Sequence, residues 1–111
     1  MIVELVRFRN PPGLTREQLL DGARHALPRW QANAALVSKH FTCSPDRREG
    51  MGIYVWPTVA DARAGHGAEW IAQAEARTGG KVEISYHDLL MTLDKVSGQV
   101  SEPPCSPDLP A

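Results

Sequence analysis

The stretch Ile2-Val3-Glu4-Leu5-Val6-Arg7-Phe8-Arg9 decides the fold. Its side chains alternate, with Ile2, Val6 and Phe8 sharing one side with Glu4, and Val3 and Leu5 sharing the other with Arg7 and Arg9. A period of two argues for a strand, and apolar side chains on both sides argue for a central strand buried on both faces. Asn10-Pro11-Pro12-Gly13 then ends the pattern with turn-forming residues.

Downstream, the period changes to that of a helix. Thr15 and Gln18 are spaced as a capping box, and Leu14 and Leu19 as a hydrophobic staple. Leu19, Leu20, Ala23, Leu27 and Trp30 form one apolar stripe. Pro28 predicts regular helix over about 16–27 and a looser turn through Trp30. A second strand follows from Leu36 to Cys43, then a charged turn, Asp46-Arg47-Arg48-Glu49, and a third strand from Met51 to Trp56. Thr58 and Asp61 start a second helix, which Thr78-Gly79-Gly80 ends. Inside it, Gly65 and Gly67 flank His66, each disfavoured by about 1 kcal/mol relative to alanine. A fourth strand is predicted from Val82 to Leu93, with Leu89-Leu90-Met91 buried on both faces.

Strand, helix, strand, strand, helix, strand is the split βαβ, or ferredoxin-like, arrangement. The expected fold is therefore α+β: a βαββαβ domain over residues 1–96, with a four-stranded antiparallel sheet and both helices on one face. Two helices leave the other face uncovered, and monomers rarely expose a wide apolar face. A homodimer packed sheet to sheet is the expected solution. The competing reading is a monomer whose open face is made half-polar by Glu4, Arg7, Lys39 and Glu83. The proline-rich segment 97–111 is expected to be extended or disordered unless it docks on a partner subunit.

The chain has 111 residues, a net charge of −1 and interleaved acids and bases. No basic stripe suggests nucleic acid, and no apolar run suggests a membrane span. The N-terminus lacks the plan of a secretion signal, and the two cysteines, Cys43 and Cys105, suggest no disulfide framework. A cytoplasmic location is expected.

Strong catalytic motifs are missing, so candidates come from residue type and placement. His66 and Trp70 are four apart, on a stripe that Val59 and Ala62 turn toward the sheet. They would line a pocket between the second helix and the sheet; the plainer reading makes Trp70 core and His66 a helix-break residue at a rim. His40 and His87 sit on strands, where a buried histidine can shuttle a proton or simply be hydrogen-bonded structure. Tyr54, Trp56 and Tyr86 fall where they could line the same cavity. His25 lies opposite the apolar stripe and is expected to be solvated. No histidine pair or Cys-x-x-Cys has metal-site spacing, so no metal is expected. Neither a nucleophile elbow nor a glycine-rich phosphate loop is present.

The element order over residues 1–96, with Tyr86-His87-Asp88 and the following Leu89-Leu90-Met91-Thr92-Leu93-Asp94, resembles the small dimeric α+β barrel proteins. Within them it is most similar to mono-oxygenases related to the antibiotic-biosynthesis mono-oxygenases. The resemblance implies a ferredoxin-like protomer that dimerises through its sheet. Some members oxidise small aromatic or quinol-type molecules with O₂ and no bound cofactor, while others degrade haem or isomerise lactones. The haem-degrading pattern has an asparagine near the end of strand 1, a tryptophan, and a histidine after it. Asn10 and Trp70 fall in roughly comparable places, but residues 71–80 hold no histidine and His66 precedes Trp70. No cofactor is therefore expected.

Two functions follow. One is a cofactor-independent mono-oxygenase for a small planar aromatic or quinol-type molecule. Its base would be His66, its oxyanion donor Tyr54 or His40, and its stacking residue Trp70, with Trp56, Tyr86, His87 and Asn10 completing the substrate site. On this reading His66→Ala weakens or silences any turnover and spares the fold. The other is a non-catalytic dimer that binds a small ligand or simply assembles. A cavity of a few hundred cubic ångströms beside His66 favours the enzyme or the binder; a solid core there removes the enzyme.

Overall fold

A computed structural model describes residues 1–110. Four strands, β1 (Ile2–Arg9), β2 (Ser38–Cys43), β3 (Glu49–Trp56) and β4 (Glu83–Asp88), form an antiparallel sheet in the order β2-β3-β1-β4. The opening stretch is a central strand, with β3 on one side and β4 on the other. Its alternation sorts the sheet into two faces. Ile2, Glu4 and Val6 are fully buried, as are Tyr54 and Trp56 on β3, against Trp30 from α1 (Arg16–Gln31) and Val59 and Ala62 from α2 (Val59–Gly65). Val3, Leu5, Met51, Ile53 and Val55 point the other way and are only half-buried.

α1 begins as its sequence requires. Thr15 Oγ1 accepts from Gln18 N at 3.2 Å, and Thr15 N donates to Gln18 Oε1 at 2.9 Å. It does not loosen at Leu27 but runs through Pro28 to Gln31. Proline removes one i→i−4 donor, but the carbonyl it would have served, on Arg24, lies on the exposed side where water can replace it. Burial of Trp30 favours the extra turn.

The second predicted helix is two. α2 ends at Gly65, His66 takes a non-helical conformation, and α3 (Ala68–Thr78) restarts after Gly67. Gly65 has a steric reason to be glycine: a Cβ there would lie 2.7 Å from the Trp56 ring. α3 ends with Gly79 at φ 72°, the left-handed conformation typical of a helix stop.

Strand 4 is shorter than predicted. β4 stops at Asp88, the partner of Ile2, because β1 has no residues left to pair with. The run Leu89-Leu90-Met91 is thus not buried on both faces; Leu90 is 75% and Met91 56% exposed. The chain then makes a small hairpin, β5 (Thr92–Leu93) with β6 (Val100–Ser101). The proline-rich segment turns back on its own chain. Ser106 is buried, Leu109 packs on the core, and Asp108 accepts from Val59 N at 3.1 Å and Ala60 N at 2.9 Å. A carboxylate there satisfies free N–H groups at the start of α2. Its hydrogen bonds from Ser106 and from Ala60 N hold Asp108 below the usual carboxylate range. Among the described residues no helix is long and apolar enough to cross a membrane.

Candidate functional site

The alternation of β1 puts a carboxylate into the apolar interior. Glu4 is fully buried, and its Oε1 accepts from Trp56 Nε1 at 2.9 Å. His66 Nδ1 lies 2.8 Å from the same oxygen, a close polar contact without the alignment of a hydrogen bond. Glu4 Oε2 and His66 Nε2 have no partner among the described residues. A buried carboxylate left without a compensating charge is penalised by several kcal/mol. His66 is the side chain placed beside that carboxylate.

The break between α2 and α3 is what brings His66 there. The ring sits in an aromatic cage, with centroid distances of 4.5 Å to Tyr54, 4.5 Å to Trp70, 4.9 Å to Trp30 and 6.4 Å to Trp56. His66 and Trp70 touch as the sequence spacing suggests, but across a chain break and not along one continuous helix face.

In front of the cage lies a cavity of about 780 Å³. Its walls include Asn10, Trp30, Lys39, Phe41, Tyr54 and Trp70. It lies between α1 and the sheet, with α3, the second part of the predicted second helix, closing a side, so that Trp70 lines it and His66 does not. Gly50 and Gly52 leave room on the inner face of β3. A Cβ at Gly52 would lie 2.5 Å from the Tyr54 ring, and one at Gly50 2.4 Å from the Phe8 ring.

Lys39 is the cationic group of this wall. It is the cross-strand partner of Tyr54, which is in turn the partner of Glu4. Its Nζ donates to the Tyr54 hydroxyl and lies 3.7 Å from the Tyr54 ring centroid, 4.2 Å from that of Phe41 and 4.9 Å from that of Trp30. Burial pushes Lys39 down to about 7, with Glu4 opposing and Arg29 reinforcing the shift. Burial, aided by Glu4, pushes the Tyr54 phenol well above its usual range.

Of the residues singled out in the sequence, His66, Tyr54, Trp70 and Trp56 come together. Tyr54, Trp70 and Asn10 line the cavity; His66, 3% exposed, and Trp56 stand behind its wall. Asn10 Nδ2 donates to Arg47 O at 3.0 Å, which fixes the turn between β2 and β3. Tyr86 is on the covered face, beside Glu4 in register, but outside the cavity. His40 and His87 are not brought in. They pair with Ile53 and Val3, so both side chains are on the open face across the sheet. Glu4 and Lys39, read as polar residues of the open face, are on the covered one; of that set only Arg7 and Glu83, cross-strand partners, remain on the open face. His25 is exposed at the cavity edge.

Sequence reasoning missed Glu4 and Lys39 as site residues. A signal existed for Glu4: an acid sharing a strand side with Ile2, Val6 and Phe8 is buried when that side is buried, and buried acids are paired. Gly50 and Gly52, two apart on the side of Tyr54 and Trp56, were a readable sign that rings lie close over β3. Among the described residues no three His, Cys, Asp or Glu side chains gather as a metal site.

No protein-family model matches the chain, and no curated protein matches it. Solved structures do. A crystal structure of an antibiotic biosynthesis monooxygenase superposes with a TM-score of 0.61 at 14% identity, covering 80% of this chain and 98% of that one. The monooxygenase from the ActVA-Orf6 gene of Streptomyces coelicolor, in complex with the ligand nanaomycin D, gives 0.60 at 17% identity, covering 78% and 84%. A protein of unknown function from Nitrosomonas europaea gives 0.62 at 19% identity, covering 80% and 88%. At these identities the likeness is one of fold. The chain has the ferredoxin-like α+β fold of the antibiotic-biosynthesis-monooxygenase structures, as its element order implied.

Proposed function

We propose that this protein is a cofactor-independent mono-oxygenase for a small planar aromatic or quinol-type molecule, bound in the cavity between α1 and the sheet. The observation that carries the reading is the cavity itself: about 780 Å³ walled by Trp30, Phe41, Tyr54 and Trp70, with the Glu4–His66 pair directly behind the Tyr54 ring. Flat aromatic walls favour flat aromatic ligands through offset and edge-on contacts. The fold shared with monooxygenase structures, one of them a ligand complex, agrees with this.

In this reading the substrate loses a proton from a carbon next to its ring system, and His66, beside the Glu4 carboxylate, receives it once the aromatic wall in front of its ring moves aside. Tyr54, held by Lys39, donates to the oxyanion that develops on the substrate. The carbanion reduces O₂ and forms a peroxide at that carbon, which loses water to leave a carbonyl. Overall a CH₂ group and O₂ give C=O and H₂O, so the substrate supplies every electron and no separate reductant is needed. Two exposed, unpaired cysteines suit a cytoplasmic setting.

The functional unit in this proposal is a homodimer. Val3, Leu5, Met51, Ile53 and Val55 form an apolar band on the open face, and Leu90, Met91, Leu93, Val96 and Val100 are exposed on the arm beyond β4. A second copy packed on this face buries both sets.

A second reading, a binding protein for the same ligands, is favoured by one observation: His66 does not line the cavity. Incubating the protein with a panel of anthrones and quinols under ¹⁸O₂ separates the two. One labelled oxygen in product, with labelled water formed alongside, is the oxygenase result. Tight binding of a panel member with no protein-dependent oxygen uptake is the binder result and rejects the enzyme.

A further inference from the structure

The charge of the cavity wall is one-sided. The chain as a whole is slightly acidic, with 13 carboxylate and 12 basic side chains. Yet Arg16, Arg29, Lys39 and Arg77 all line the cavity, and no aspartate or glutamate does. The nearby acids are employed elsewhere. Glu17 and Asp21, on α1, accept from Arg24 at 3.0 and 2.7 Å. Glu75, on α3, accepts from Val82 N at 2.9 Å. Glu4 lies behind Tyr54, paired with His66. Arg29 is itself partly engaged, donating to Gly65 O at 2.9 Å. Arg16 and Arg77 are exposed at the rim, and among the described residues neither makes an ion pair.

We infer that the ligand of this cavity is a planar aromatic carboxylate, its ring against the cavity-facing sides of Trp30, Tyr54 and Trp70 and its carboxylate held by Lys39, with Arg77 adding positive potential at the rim. This deepens the reading of the cavity as a ligand site and rests on it. The physical case is that a cation set among three aromatic faces in a partly dry wall is only partly compensated: Tyr54 offers it a neutral hydroxyl, and the nearest carboxylate is committed to His66 and Trp56. A ligand carboxylate supplies the missing counter-charge, and a charge-assisted hydrogen bond in such a place is about twice as strong as a neutral one. The groups that bear on Lys39 are Glu4 from β1, Tyr54 from β3, Arg29 from α1 and, beyond Tyr54, His66; Trp30 and Phe41 contribute uncharged ring faces. Because Lys39 titrates near neutrality, its hold on an anion weakens as pH rises above about 7.

The test is a matched pair of probes, 2-naphthoate and 2-naphthamide, measured by equilibrium dialysis from pH 6 to 8. The acid stays ionised throughout, so any change comes from the protein. The expected result at pH 6 is a preference for the acid of about tenfold or more, the size of one hydrogen bond to a charged group. The preference falls by pH 8, and Lys39→Met nearly abolishes it. Lys39→Arg keeps the charge and so keeps the preference at pH 8. Arg77→Met reduces it in part, and Lys81→Met leaves it unchanged. Equal binding of the two probes overturns the charge selection and leaves the aromatic pocket standing. Failure of both to bind overturns the pocket as well. A full preference retained in Lys39→Met overturns the assignment of Lys39.

Discussion

The two faces of the sheet are built from the same strands by opposite rules. The covered face holds the aromatic residues, a fully buried carboxylate and its histidine, and a cavity; the open face holds Val3, Leu5, Met51, Ile53 and Val55 with a cross-strand Arg7–Glu83 pair at one end. Polar chemistry inside a protein is stable only where each charge is answered by a fixed partner. A face closed by its own chain's helices can supply that, because α1, α2 and β3 fix Trp30, His66 and Trp56 relative to Glu4. A face that a second copy would cover needs only shape and apolar area. The contrast explains why the acid of β1 points inward and its plain aliphatic residues point outward.

The sharpest way to break that contrast is to remove the answer to Glu4. His66→Ala leaves its carboxylate buried without its histidine neighbour and should destabilise the fold by about 3–5 kcal/mol, read by urea denaturation. The substitution is therefore a stability test first, contrary to the expectation that it spares the fold. Glu4→Gln combined with His66→Ala should recover much of the loss; a single-variant effect below about 1 kcal/mol would mean that Glu4 is solvated. Next in size comes the open face. Leu5→Lys should weaken self-association by about 2 kcal/mol or more, the range of a central interface residue, with little change in the unfolding of the isolated chain. An unchanged association constant rules out this face as the interface.

Lys39 sharpens the covered side through pH. Its folded value, about 7, lies below the 10.5 of an unhindered lysine. Between those values the unfolded chain binds more protons, so stability should rise with pH across that window. Lys39→Met should flatten the rise; a slope identical to wild type contradicts the buried placement. The smallest effect is at the C-terminal segment. Asp108 is held below the usual carboxylate range by Ser106 and Ala60, so its contribution is present above that range and lost as pH falls through its lowered value. Acid, or Asp108→Asn, should lower the amide-exchange protection factors of Val59 and Ala60, each taken relative to the intrinsic rate at that pH, before those of the sheet.

Much of this was legible from pattern. The alternation of Ile2–Arg9, the capping box at Thr15 and the glycines at 79 and 80 each report local physics, and local physics writes itself into neighbouring residues. What stayed hidden needed a third dimension. Glu4 and His66 are distant in sequence, and no local rule pairs them; only the register that sets Glu4 beside Tyr54, and the chain break that turns His66 inward, makes them neighbours. Lys39 could not be sided correctly because β2 is an edge strand with weak alternation, Ser38 to Cys43 being mostly exposed. The end of β4 was misjudged for another reason: Leu89-Leu90-Met91 looks like a buried strand, but β1 has run out of residues to pair with it. Its exposure then becomes an argument for a partner.

The claim that joins these points is that one face is finished by the chain itself and the other by a second copy. Sedimentation equilibrium at micromolar concentration tests it most directly. The account predicts a particle of twice 12.2 kDa that Leu5→Lys converts toward a single chain. A wild-type particle of 12.2 kDa across the micromolar range contradicts it.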